Sequence, residues 1–285
     1  MPMSDPEALV STEWLAAHLD APDIRVIDGS WYLPGAKRDA RQDYEDAHIP
    51  GAIFLDIEEL SDKNSPYPHM LPPSEMFSSR MRKLGLGDGL RLIVYDGAGI
   101  YSAPRVWWMF RAMGHRDVAV LDGGLPKWRR EGRPLNSEPP RLRERHATIR
   151  MDRTLIRDVD QIAANLQSKA EQILDARSQG RFLGREAEPR PNLRGGHVPA
   201  ALNLPFDRLV KSDGTMRDRA ALRAAFETAG IALDKPIVTM CGSGVTAAIL
   251  SLGLAVIGHQ RNSLYDGSWA EWGSRQDLPV QNSNG

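Results

Sequence analysis

The chain has 285 residues, 41% of them apolar, with 36 Lys and Arg against 37 Asp and Glu for a formal net charge of −1. That length suggests about two domains of roughly 100–200 residues, each able to bury an ordinary core. The near-cancelled charge leaves no footprint for nucleic acid or an anionic membrane. No apolar run approaches the roughly 20 residues that span a bilayer, and one cysteine cannot close an internal disulfide.

Residues 1–7 are acidic and show neither a secretory leader nor an Arg-rich transit pattern, so a reducing cytoplasm is the expected location. Residues 13–19 read as a helix, 24–27 and 91–95 as strands, and 61–72 as a rigid, proline-braced polar loop. A Pro-rich, charged stretch over 132–151 marks a boundary. Beyond it, the apolar run 236–240 predicts a strand, followed by the glycine-rich turn Cys241-Gly242-Ser243-Gly244-Val245-Thr246 and the helix-forming Ala247-Ala248-Ile249-Leu250.

The two halves repeat each other in order. Ile27-Asp28-Gly29-Ser30 matches Leu174-Asp175-Ala176-Arg177, and His48-Ile49-Pro50-Gly51-Ala52 matches His197-Val198-Pro199-Ala200-Ala201. The run from Leu92 to Gly99 matches that from Ile237 to Gly244, which puts Asp96 opposite Cys241. Gly114-His115, Asp122-Gly123 and Trp128 return as Gly258-His259, Asp266-Gly267 and Trp272. The reading is an α/β chain with an N-terminal domain over 1–140, a linker over 141–152 and a C-terminal domain over 153–285, each domain a parallel sheet flanked by helices. Shared features, His48 with His197 and Trp128 with Trp272, are expected to brace turns and fill cores. The loop 61–72 has no counterpart in the second half.

Only the second half carries a nucleophile. A lone cysteine is most often a small buried hydrophobe, but a strand core has no need of glycines on both sides of Ser243. A sulfur at the start of such a turn has backbone N–H groups and the positive end of a helix dipole aimed at it, an arrangement that favours a reactive thiolate.

With Asp175-Ala176-Arg177, Gly196-His197-Val198-Pro199, the single cysteine and Asp266-Gly267-Ser268-Trp269, the chain resembles the rhodanese superfamily of sulfurtransferases over nearly its whole length. The loop from Cys241 to Thr246 is similar to that of members using 3-mercaptopyruvate. Members using thiosulfate typically place Arg-Lys after the cysteine, where this chain has Gly242 and Ser243. The resemblance implies two tandem rhodanese-like domains, only the second catalytic. It also implies a Cys241 persulfide formed as pyruvate leaves, and a thiol acceptor such as thioredoxin, or cyanide. It assigns donor binding to Arg181, Arg190, Gly242, Gly244, Val245 and Thr246, and catalysis to Cys241 with Ser243, His69 and an acid. That acid is Glu58, with Asp62 the alternative; Arg177 is given structure or loop electrostatics.

The alternatives are a thiosulfate sulfurtransferase and a non-catalytic interaction module. A cysteine phosphatase would need an arginine at Ala247, and a dinucleotide site would need more chain after Asp266. The proposed chemistry requires no cofactor, and seven scattered histidines with one cysteine give no metal-ligand spacing.

Overall fold

A computed structural model describes residues 7–33 and 35–282, so most of the leader reading, over residues 1–6, lies outside the described residues. The chain forms two compact units, and each draws a short segment from the opposite half of the sequence. The first holds the described residues up to Lys63, Leu71–Asp152 and Lys211–Met216; the second holds Asn64–Met70, Arg153–Val210 and Arg217 onward.

In the first unit the strands are β1 (Leu9–Val10), β2 (Ile24–Asp28), β3 (Ile53–Phe54), β4 (Arg91–Tyr95) and β5 (Val118–Leu121), ordered β1-β5-β4-β2-β3. In the second they are β6 (Ile156–Arg157), β7 (Gln172–Asp175), β8 (Leu202–Asn203), β9 (Ile237–Met240) and β10 (Asn262–Tyr265), ordered β6-β10-β9-β7-β8. All pairings are parallel, with Leu174 and Leu264 in register with Thr239 on either side of β9. Parallel strands are covered on both faces, which is why β4, β5 and β9 are nearly continuous apolar runs and lie buried.

This order places the site. The chain leaves β7 towards β8 on one side of the sheet and leaves β9 towards β10 on the other, so their carboxyl ends bound a topological switch point. Arg177 follows β7 and Cys241 follows β9 at that end.

The shared residues brace the fold as expected. His48 Nδ1 lies 2.7 Å from the Tyr44 carbonyl, and His197 Nδ1 lies 2.8 Å from that of Phe182. Trp128 and Trp272 are fully buried, their indole N–H groups donating to the carbonyls of Pro134 and Pro279 at 2.8 Å each. Trp272→Ala is expected to destabilise the second unit by about 3–5 kcal/mol, read from the shift of its urea transition; a shift under about 1 kcal/mol would contradict a core role.

Candidate functional site

Cys241 is 2% exposed at the end of β9, and the turn after it reaches positive φ at Gly244 before the helix Ala247–Val256 begins. The turn is tied down from behind by helix Ser268–Trp272. Trp269 N–H donates to the Cys241 carbonyl at 2.9 Å, Ala270 N–H donates to that of Gly242 at 2.8 Å, and Cys241 N–H donates to Ser268 Oγ at 3.2 Å. Ser268 holds φ 50°, a left-handed conformation its repeat partner meets with glycine, Gly124 at φ 51°. Its hydroxyl donates to the Tyr265 carbonyl while receiving the Cys241 amide, so this costly conformation fixes the nucleophile's backbone.

The first unit reveals what the turn is shaped to hold. Asp96 Oδ1 accepts from Ala98 N–H at 2.9 Å, and Oδ2 accepts from the N–H groups of Tyr101, Ser102 and Ala103 at 2.8, 2.9 and 2.8 Å. The strand-to-helix turn is thus an anion cradle, filled in this unit by its own carboxylate. The equivalent donors around Cys241 are the N–H groups of Ser243, Thr246, Ala247 and Ala248. Ala248 donates to the Val245 carbonyl, whereas no oxygen among the described residues accepts from the other three. With the sulfur 2% exposed, charge on it is met by these dipoles in place of bulk water.

His69 reaches Ser243 within the second unit. The segment Asn64–Met70 carries it, and a positive φ of 62° turns the ring so that Nδ1 lies 3.0 Å from Ser243 Oγ and 3.3 Å from the Ser243 carbonyl oxygen. With Nδ1 protonated the ring donates to these oxygens; in the other tautomer it accepts from the Ser243 hydroxyl. The loop does have a counterpart. Lys211–Met216 belongs to the first unit, where Gly214 at φ 84° lies against Gly99 of the Asp96 turn. His69 and Gly214 share a backbone conformation and no chemistry, so the match is invisible in residue types.

The arginines converge on the same turn. A Cβ built on Gly242 would lie 2.9 Å from Arg181 Nη2 and 3.9 Å from Arg190 Nη1, so a side chain at position 242 would crowd both guanidiniums. Arg181 projects from the short helix Gln179–Phe182, capped by Ser178. Its Nε and Nη2 donate to Glu188 Oε2 at 3.2 and 2.6 Å, and Glu188 Oε1 accepts from Arg177 Nη1 at 2.7 Å. Arg177 is fully buried, paired with Asp175 and stacked 4.2 Å over the Trp269 ring. Burial works against its charge, but Asp175 and then Glu188 outweigh it and hold the guanidinium above its ordinary range. Arg185 is exposed. Glu58 belongs to the first unit, in helix Ile57–Leu60, where its Oε1 accepts from the Trp31 indole at 3.0 Å; Asp62 belongs to that unit too.

Two residues escaped the sequence reading. Glu188 was visible only as a neighbour of Arg190, with no periodicity linking it to Arg177 and Arg181. Ser268 did leave a signal, a serine where the repeat places Gly124.

The model of the rhodanese-like domain family matches residues 11–131 and 158–275. The chain is 43% identical over 271 residues to the 3-mercaptopyruvate sulfurtransferase of Homo sapiens, covering 93% of this chain and 91% of that protein. It is 44% identical over 272 residues to the thiosulfate sulfurtransferase of Bos taurus, covering 93% and 91%. The crystal structure of SseA from Escherichia coli, described in work on 3-mercaptopyruvate sulfotransferases, superposes with a TM-score of 0.85 at 41% identity, covering 93% of this chain and 99% of that one. Overall identity does not separate the two donors; the residues of the turn must.

Replacing Asp96 by alanine strips the first cradle of its acceptor and leaves four N–H groups without one. We expect Asp96→Ala to cost about 3–5 kcal/mol, less than four independent losses because they share one site. Denaturant titration of the first unit checks this, and Asp96→Asn, which keeps one acceptor oxygen, should lose less.

Proposed function

The chain belongs to the rhodanese-like family of sulfurtransferases, and from that premise we propose that it moves sulfur from 3-mercaptopyruvate to a thiol or cyanide through a persulfide on Cys241. The observation that carries this reading is the turn itself. Its twin binds a carboxylate through four backbone donors, and here a sulfur takes that place with Ser243, His69 and two arginines beside it.

In the first half-reaction the Cys241 thiolate attacks the donor's sulfur. The new S–S bond forms as the C–S bond breaks, and its electron pair passes into the adjacent carbonyl to give the enolate of pyruvate. Arg181 and Arg190 hold the donor's carboxylate and keto oxygen, where that charge develops. Ser243, backed by His69, carries the donor's thiol proton towards the carbon that receives it; Glu58 is the acid we assign to this proton transfer, with Asp62 the alternative. In the second half-reaction an acceptor thiolate attacks the outer sulfur and restores the Cys241 thiolate. A dithiol protein such as thioredoxin suits this step, and a reducing, cytoplasmic setting suits the single cysteine.

The choice of donor rests on charge. Thiosulfate is a dianion whose sulfite leaves without needing a proton, and enzymes built for it typically place two cations directly after the cysteine. Gly242 and Ser243 supply no cation there, while the Ser243–His69 contact is of use to a leaving group that must be protonated.

Two measurements test the reading. Intact-mass analysis after 3-mercaptopyruvate should find one added sulfur on Cys241, removed by cyanide as thiocyanate and absent from Cys241→Ser. Paired assays should show pyruvate release far exceeding thiocyanate formation from thiosulfate; the reverse ranking would overturn the donor assignment. Ser243→Ala is expected to lower kcat with 3-mercaptopyruvate by roughly 10²–10⁴-fold, the range of a lost proton-transfer group, while slowing thiosulfate turnover far less.

A further inference from the structure

The arginine that grips the donor is itself gripped from behind. Arg177, Glu188 and Arg181 form a buried chain of alternating charge starting from Asp175: Asp175 to Arg177 at 2.7 Å, Arg177 to Glu188 at 2.7 Å, Glu188 to Arg181 at 2.6 Å. The Glu188 side chain is 2% exposed, so its carboxylate is screened by these two guanidiniums and not by water. It takes up the Nε–Nη2 edge of Arg181, whose Nη2 is also its atom nearest Gly242. Arg190, whose tip lies beside the same Gly242, has no partner among the described residues. Arg181 thus shares a carboxylate with Arg177, while Arg190 stands at the donor end without one of its own.

We propose that Glu188 is a specificity-determining positioning residue: by cancelling the charge of Arg181 while fixing its orientation, it lowers the positive charge at the donor end by one unit and so favours a monoanionic sulfur donor over a dianionic one. The inference rests on the donor reading above and deepens it. Without the Glu188 carboxylate the same group would carry one more uncompensated cation. A second negative charge on the donor would then be met by a second positive one a few ångströms away, in a part of the protein where water screens poorly. Selectivity against the dianion thus comes from a carboxylate that need not touch the donor, as well as from the missing cations in the turn.

The experiment compares kcat/KM for thiosulfate and for 3-mercaptopyruvate across Glu188→Gln, Glu188→Asp and Arg190→Gln. The thiosulfate-to-mercaptopyruvate ratio should rise roughly tenfold or more in Glu188→Gln, from the added unit of uncompensated charge, and thiosulfate use by that variant should fall more steeply with ionic strength. Glu188→Asp keeps the charge with a shorter reach, so it should lose efficiency with both donors at a near-wild-type ratio. Arg190→Gln should shift the ratio the other way. Should Glu188→Gln fail to fold, the opposite shift at the half-buried Arg190 still decides. Equal losses with both donors in every folded variant would make Glu188 a structural residue and overturn the proposal. Wild-type protein that releases no pyruvate would instead sink the donor reading itself, so the two failures are distinct.

Discussion

A ring of backbone N–H groups, curled where a central parallel strand hands over to a helix, is the constraint on which everything else in this molecule depends. Such a turn has an excess of donors, and a buried donor without an acceptor is costly. Something negative must therefore sit in it. The first unit solves this permanently with the Asp96 carboxylate, bonded four times over. The second places the polarisable sulfur of Cys241 at the corresponding position. One half of the repeat thus holds a carboxylate in its turn and the other a thiol, though strand order is the same.

The short exchanged segments follow from the same duplication. Each unit presents a turn at the carboxyl end of its sheet, and each receives a segment from the other half of the chain: Asn64–Met70 in the second unit, Lys211–Met216 in the first. Where the turn carries Cys241 the left-handed residue is His69, which reaches Ser243 Oγ at 3.0 Å. Where the turn is inert it is Gly214, packed close against Gly99 with no side chain to offer. A side chain held in a strained conformation opposite a glycine in its twin is the pattern in which something beyond the backbone sets the residue. Ser268 against Gly124 repeats it.

Much of this was legible in the sequence, for identifiable reasons. Strands β4 and β9 are apolar runs ended by glycine turns, so their positions and the Asp96–Cys241 correspondence could be read directly. Arg181 and Arg190 rested on resemblance alone, because surface arginines are common and nothing in their spacing points them at Gly242. Glu188 and the segment Lys211–Met216 were not legible. The first acts through a carboxylate shared by two arginines, 11 and 7 residues before it in the chain. The second matches its counterpart in backbone angle and not in residue type. Propensity and periodicity report local geometry; neither encodes which buried charge lies against which.

The burial of that charge chain carries a further consequence. An ion pair taken out of water is poor evidence for stability, since desolvating both partners offsets much of their attraction. Arg177 has neither exposure nor a role at the reacting atoms, yet it spends all three guanidinium nitrogens on Asp175, Glu188 and the Gly196 carbonyl. The arrangement makes sense as a lever for orientation. Asp175 is the last residue of β7, so the sheet fixes Arg177, Arg177 fixes Glu188, and Glu188 fixes Arg181 against the turn that follows β9. A long, flexible side chain beside the Cys241 turn thereby inherits the rigidity of the central strands, with its charge already balanced by Glu188.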